Sequence, residues 1–276
     1  IFSFHKSDTA RMMWKELVYI SILSAGIALI EIKYFPEATY LKNLTTVYSL
    51  LGFVISLLLV FRTNTAYDRW WEGRKAWGAM VNDSRSLSAK LSALQLSQAE
   101  KATLSNLISL YVFSVKNHLR SKRVEQDNAC HDKLSGLDLS GHQPLRIQQV
   151  LRSEIEQLYS NKTMSAECWL AVQRDLDSLV ASLGVCERIK NTPIPFSYSL
   201  FIKKFIFIYV LTMPLAFVPL FGYLSAFIST FVFYALVSME LLAEEIEDPF
   251  GGDANDLPTD QICLTIQGNC TQIFGA

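Results

Sequence analysis

Apolar residues in this chain gather into long blocks instead of spreading evenly. A bilayer-spanning helix takes roughly 20 mainly apolar residues, and four blocks approach that length: residues 17–32, 44–61, 205–223 and 224–243. The first exceeds a signal-peptide core of about 7 to 15 residues and no small-residue cleavage pattern follows it, so it reads as a retained span. Between 62 and 204 the pattern changes: apolar residues recur at helical spacing with polar residues between them. Trp77, Met80, Val81, Ser84, Leu87, Leu91 and Leu94 mark one stripe, and Leu104, Leu107, Ile108, Tyr111, Val112 and Val115 a second. Ile147, Val150, Leu151, Ile155 and Leu158 form a third, and Trp169, Val172, Leu176, Leu179, Val180 and Leu183 a fourth. No run alternates with period two, so the expected fold class is all-α: four transmembrane helices plus a helical bundle.

Breaks in the pattern divide the chain. The stretch 121–143 is polar, holds Gly136 and Gly141 and has no sustained period, which predicts a surface connection. Thr192-Pro193-Ile194-Pro195 ends a helix near Lys190, because proline cannot continue a helix interior and restricts the residue before it. The expected organisation is an N-terminal segment with two spans (1–61), a helical region (62–204), two further spans (205–243) and an acidic tail (244–276) that includes a short helix from Thr259.

Charge then orients the spans. Lys and Arg accumulate on cytoplasmic flanks; Arg11 and Lys15 precede span one, Arg62, Arg69, Arg74 and Lys75 follow span two, and Lys203 and Lys204 precede span three. On the other side Lys33 and Lys42 are accompanied by Glu31 and Glu37, and the Gly222-Tyr223 turn carries no charge. Both termini and the helical region are therefore expected in the cytoplasm, with the chain a multi-pass protein of an inner (plasma) membrane.

Composition removes several function classes. A formal net charge of −1 gives no basic face for phosphate recognition, so nucleic acid is not an expected partner. The five cysteines are scattered without CxxC spacing, which favours buried free thiols over a disulfide framework or a zinc site. His5, His118, His131 and His142 are spread out in polar contexts, and Cys130 beside His131 reads as a solvated pair. No Ser-His-Asp, HExxH or glycine-rich phosphate motif is present, so no enzyme is expected and no cofactor is required.

Two places remain that suit ion chemistry. In span two, Thr45, Ser49 and Phe53 fall at i, i+4 and i+8 and share a helical face, as does the neighbouring row Thr46, Leu50 and Val54. Either row suits a conduit wall, while small and hydroxyl residues equally suit helix packing. One span encloses no pore, so a conduit demands an oligomer, in which apolar rings gate by dewetting. After span four, Glu245, Asp248, Asp253 and Asp256 place four carboxylates around a Pro-Phe-Gly-Gly turn. That donor set suits calcium, which takes six to eight oxygen ligands; helix termination and ion pairs to Arg69, Arg74 or Lys75 are the alternative.

The stretch that follows span two is the most distinctive: Arg62-Thr63-Asn64-Thr65-Ala66-Tyr67-Asp68-Arg69-Trp70-Trp71-Glu72-Gly73-Arg74. It interleaves Arg, Asp and Glu with tryptophans, a mixture that needs paired, buried charges because unpaired ones are expensive. With Leu51-Gly52-Phe53, Ile194-Pro195 and Asp248-Pro249-Phe250-Gly251, it resembles the prokaryotic branch of the bestrophin family. That resemblance implies a homopentameric ion channel around a central pore, with a second-span neck, a cytosolic helical vestibule, and as partners its own copies, the lipid bilayer and small monovalent ions. It places the neck at Thr45, Ser49 and Phe53 if Leu51-Gly52-Phe53 anchors the alignment, or at Thr46, Leu50 and Val54 if Arg62 does. It implies a lower constriction near Ser165, at Met164 or Glu167, and a calcium clasp with side chains from Asp248, Asp253 and Asp256 and a carbonyl from Glu245. Animal relatives conduct chloride, whereas prokaryotic relatives can prefer cations such as sodium; Glu167 on the axis favours cations. The rival reading is a membrane-anchored helical interaction or sensory protein without conductance.

Overall fold

The structure, a computed structural model, describes residues 9–35, 43–122 and 141–275; Cys130 and His131 lie outside the described residues. Among the described residues all regular structure is helical: α1 (Thr9–Met12), α2 (Trp14–Tyr34), α3 (Leu44–Ser92), α4 (Gln98–Leu119), α5 (Gln143–Ser160), α6 (Ala166–Asn191), α7 (Phe196–Phe221), α8 (Leu224–Glu247) and α9 (Thr259–Phe274). They form two compact units. The first comprises Ile1–Arg69, Pro193–Glu247 and Asp253–Asn255, and the second Trp70–Thr192, Asp248–Gly252 and Asp256–Ala276. The 49-residue α3 belongs to both, its apolar half in the first unit and its polar half in the second.

In the first unit α2, α3, α7 and α8 are each long and apolar enough to cross a membrane. The most apolar window of α3 is only 17% buried inside the chain, so most of its surface needs lipid or another protein as solvent. What α2 and α8 do bury is small: Ser24 and Ala28 on a stripe with Ile20 and Glu31, and Ser225, Ser229 and Ala243 on a stripe with Phe233 and Glu240. The two helices pack together, as small residues allow in a membrane, where dispersion and close approach replace the hydrophobic effect. Pro214 and Pro219 sit inside α7, an arrangement that membrane helices tolerate. Gly222, with φ of +54°, makes the turn from α7 to α8 in a region that L side chains avoid.

The second unit is built around α4, which packs on α5, α6 and α9. Ser97 caps it by accepting from the Glu100 N–H, while the Glu100 carboxylate accepts from the Ser97 N–H, a reciprocal capping box. Beyond that first turn α4 is buried on nearly every face, from Leu104 to Leu119. The four stripes expected from the sequence all join one core, with Trp77, Met80, Ile108, Tyr111, Ile147, Leu151, Leu176 and Leu179 completely enclosed. α9 adds Cys263, Ile266, Cys270 and Phe274 at helical spacing. Cys186, Cys263 and Cys270 are buried thiols outside any disulfide, Cys186 with its pKa pushed up to about 12 chiefly by burial, and Cys168 is partly buried and likewise outside any disulfide.

Candidate functional site

The orientation of α3 in the first unit follows from a few polar contacts. The Tyr209 hydroxyl of α7 donates to the Tyr48 carbonyl at 3.2 Å, and Gly52 makes room for it: a Cβ at Gly52 would stand 2.7 Å from that oxygen. One turn earlier the Thr45 hydroxyl donates to the Ala216 carbonyl at 3.1 Å. Tyr48, Ile55, Leu59, Arg62 and Ala66, at spacings of seven, four, three and four, therefore form the face turned toward the rest of the unit, and all are buried. Thr46, Leu50, Phe53 and Leu57 repeat the same spacing two residues out of phase, on the opposite side, and all are exposed. Thr45 is half-buried; Ser49 is exposed, with its hydroxyl returned to the Thr45 carbonyl at 2.9 Å; Val54 is exposed. Leu50 and Phe53, each 65% exposed, are thus the bulky neck candidates on the outward stripe, one from each row.

At the C-terminal end of α8, beside the middle of α3, one carboxylate gathers three sequence motifs. Glu247 accepts from Arg62 Nη2 at 2.6 Å and from the Ile194 N–H at 2.7 Å, while its own carbonyl accepts from Arg69 Nε at 3.1 Å. Arg62 is 1% exposed and also lies 3.8 Å from Glu240, which is equally buried. A guanidinium held in this way needs its counter-charges, because a buried charge stripped of its partner costs roughly 3–5 kcal/mol. The Ile194-Pro195 step, where proline already prevents helix continuation, thereby fixes the entry to α7.

In the second unit residues 248–252 and 256–260 fold back on the polar half of α3 and on α4. Asp248 accepts from the Phe250 N–H at 3.3 Å, and the Pro249 carbonyl accepts from the Leu257 N–H at 2.9 Å. Phe250 is enclosed in the core, and Gly73 permits it: a Cβ there would meet the ring at 3.1 Å and Pro249 at 3.3 Å. Arg120 then reaches the Phe250 carbonyl at 3.3 Å, the Thr259 hydroxyl at 3.0 Å and the Asp260 carboxylate at 2.7 Å, and Lys116 reaches Asp260 at 3.0 Å. Burial pushes the Asp260 carboxyl up, but hydrogen bonds and charge from Lys116 and Arg120 outweigh it and hold the group below its ordinary range. Of the proposed calcium ligands, Asp248 and Asp253 are exposed, Asp256 lies against Gly251, and the Glu245 carboxylate accepts from the Asn255 amide at 2.6 Å. These are oxygen donors, the right chemistry for a hard cation.

Of the two positions offered for a lower constriction, only Glu167 reaches solvent. Met164 is 4% exposed and packs in the core of the second unit, whereas Glu167 stands in the first turn of α6 next to the Ser165 cap. Its carboxyl is held below the ordinary range, first by a hydrogen bond to its own backbone and then by Ser165.

One cluster has no signature in the sequence pattern. His118 in the last turn of α4 and His142 at the N-cap of α5 both point Nε2 at the same oxygen, Glu187 Oε1 of α6, at 2.8 and 2.6 Å. The two rings lie 4.3 Å apart. Burial, followed by the neighbouring His142, holds His118 below the usual histidine range, against the pull of Glu187. Nothing in the spacing announces this convergence, since the three residues sit on three helices; the one local signal is a histidine preceding Gln143-Pro144 as a helix cap.

The polar stretch 62–74 in the middle of α3, the 194–195 step and the 248–251 turn are the same elements whose order suggested a family, and comparison with known proteins agrees. The family described as Bacterial/Fungal Bestrophin protein matches residues 1–272. The chain is similar to a voltage-dependent anion channel-forming protein of Synechocystis sp., 38% identical over 235 residues, which cover 80% of this chain and 75% of that one. It is also similar to the voltage-dependent anion channel-forming protein YneE of Escherichia coli strain K12, 32% identical over 229 residues, with 82% and 75% covered. Among solved structures, a bacterial bestrophin homolog from Klebsiella pneumoniae superimposes with a TM-score of 0.86 at 29% identity, over 95% of this chain and 98% of that one. This is a family of channels and not of enzymes, and the four apolar helices make the chain a membrane protein. The chain belongs to the bestrophin family, in its bacterial and fungal branch.

Proposed function

We propose that this protein is a passive channel for small monovalent anions, formed by five copies around a central axis with α3 lining the neck. The observation that carries the reading is the outward stripe of α3: Thr46, Leu50, Phe53 and Leu57 are exposed on a helix whose opposite face is fastened to its own subunit. A single stripe encloses nothing, so copies of the chain must complete the wall, and a ring of Phe53 side chains then supplies an apolar constriction that gates by wetting. Anion preference rests on the names of the relatives. We place the protein in the plasma membrane with both termini cytoplasmic, from the basic residues that flank the spans, and place Glu167 at the lower constriction because it is exposed.

Purified protein in liposomes should release chloride down its gradient, and native mass spectrometry should give five chains. A monomer without flux, from well-folded material, would leave a membrane-anchored interaction protein as the better account. A reversal potential displaced toward the cation equilibrium value would transfer selectivity to Glu167. Calcium binding through Asp248, Asp253, Asp256 and the Glu245 carbonyl rests on resemblance to animal relatives; a calcium-dependent rise in melting temperature that disappears in Asp253→Asn is its test, and no rise in the parent protein removes it.

A further inference from the structure

We infer that His118, His142 and Glu187 form a binding site for a divalent first-row transition ion of the zinc type, separate from the pore and from the acidic turn. The ligand atoms of the three residues all lie within 4.8 Å of one another. Two imidazoles and one carboxylate from three different helices make a donor set used by zinc, with a water as fourth ligand. In the metal-free arrangement both Nε2 atoms contact one oxygen, Glu187 Oε1. Metal–ligand bonds of about 2.0–2.1 Å in a tetrahedron put neighbouring donors about 3.3 Å apart, so the two contacts open by about 0.5 and about 0.7 Å to admit the ion. The three side chains are about one-third exposed, which leaves an entry path and room for the water.

The donor set also decides which ion. Calcium and magnesium require oxygen shells, and a pair of imidazoles discriminates against them. Binding has one local cost. His142 Nδ1 accepts from the Leu145 N–H in the cap of α5, and coordination through Nε2 moves the ring proton to Nδ1. That cap contact is long, 3.4 Å, so little is surrendered. In return the ion clips the end of α4 to the start of α5 and to α6. Anything that binds the folded state alone raises its stability.

The test is a titration of the intact, detergent-solubilised protein with zinc chloride, followed by isothermal calorimetry and by thermal melting. One zinc per chain and a raised melting temperature are expected, with calcium chloride producing no heat at this site. His118→Ala and Glu187→Gln should each weaken zinc binding at least about tenfold. Undiminished binding in the double variant overturns the proposal, as does the absence of stoichiometric binding in the parent. Should the variants not fold, zinc-edge X-ray absorption on the unsubstituted protein decides: a nitrogen and oxygen shell with imidazole scattering supports the site, and a shell without imidazole refutes it. None of these readouts depends on ion conduction, so the proposal stands or falls apart from the channel reading.

Discussion

The two units of this protein keep their shape by opposite means. The second unit hides a continuous apolar core around α4, and its exposed faces are mostly polar. The first unit exposes large apolar side chains on every span, among them Ile22, Phe53, Ile208 and Phe231, and buries serines, Arg62 and Glu240 inside. In water burial of apolar area drives assembly, whereas in lipid that drive is absent and directional contacts must choose the arrangement. The contrast therefore predicts that the first unit is most sensitive at its charges and the second at its aromatics.

The largest effects should come from one residue of each kind. Glu247→Ala removes the partner of Arg62 and the acceptor for the Ile194 N–H, and a loss of roughly 3–5 kcal/mol is expected. Hydrogen exchange should localise that loss to peptides within 44–69 and 193–247. Trp77→Ala should cost a similar 3–5 kcal/mol or so, localised instead to α4, α5 and α6, since Trp77 is completely enclosed in the second unit's core. If both substitutions loosened the same peptides, the division into differently stabilised units would fail.

Smaller changes sharpen the same contrast. Gly73→Ala brings a methyl within 3.1 Å of the Phe250 ring, and about 1–3 kcal/mol of overpacking should follow in thermal melts. Gly52→Ala brings one within 2.7 Å of the Tyr209 hydroxyl; pairing it with Tyr209→Phe should recover part of the loss if the clash is with that oxygen. By comparison Arg188→Ala, which removes an exposed ion pair with Glu72, should shift stability by less than about 1 kcal/mol.

The pH dependence is the smallest expected effect and has a defined sign. The Asp260 carboxyl lies below its ordinary 3.8 in the folded protein, so its contribution is present above that value and disappears as pH falls through the lower, folded value. Acid melts of Asp260→Asn should therefore lack a component of destabilisation below about pH 4 that the parent shows. Parallel curves for the two proteins would show that Lys116 and Arg120 do not hold the carboxylate.

The same contrast explains what the sequence made legible. In the second unit polar and apolar positions differ, so the stripes from Trp77 to Leu94 and from Leu104 to Val115 could be read directly, and they are the core. In the first unit every face of a span is apolar, and periodicity alone could not say which row of α3 turns outward. The answer lies in Gly52, Tyr209 and Thr45, contacts between residues far apart in the chain. Met164 and Glu167 were indistinguishable by position near a helix start, and burial separates them. His118, His142 and Glu187 were invisible for a related reason: three helices bring them together, and no spacing encodes it.

In the proposed channel Phe53 narrows a conduit built by several copies of α3. Single-channel recording in planar bilayers, under asymmetric potassium chloride, compares the unsubstituted protein with Phe53→Ala most directly. Discrete unitary currents are expected for the parent, reversing near the chloride equilibrium potential, with a larger conductance for the variant. Silence from well-folded oligomer across a range of salts, or an unchanged unitary conductance in Phe53→Ala, would contradict the proposal.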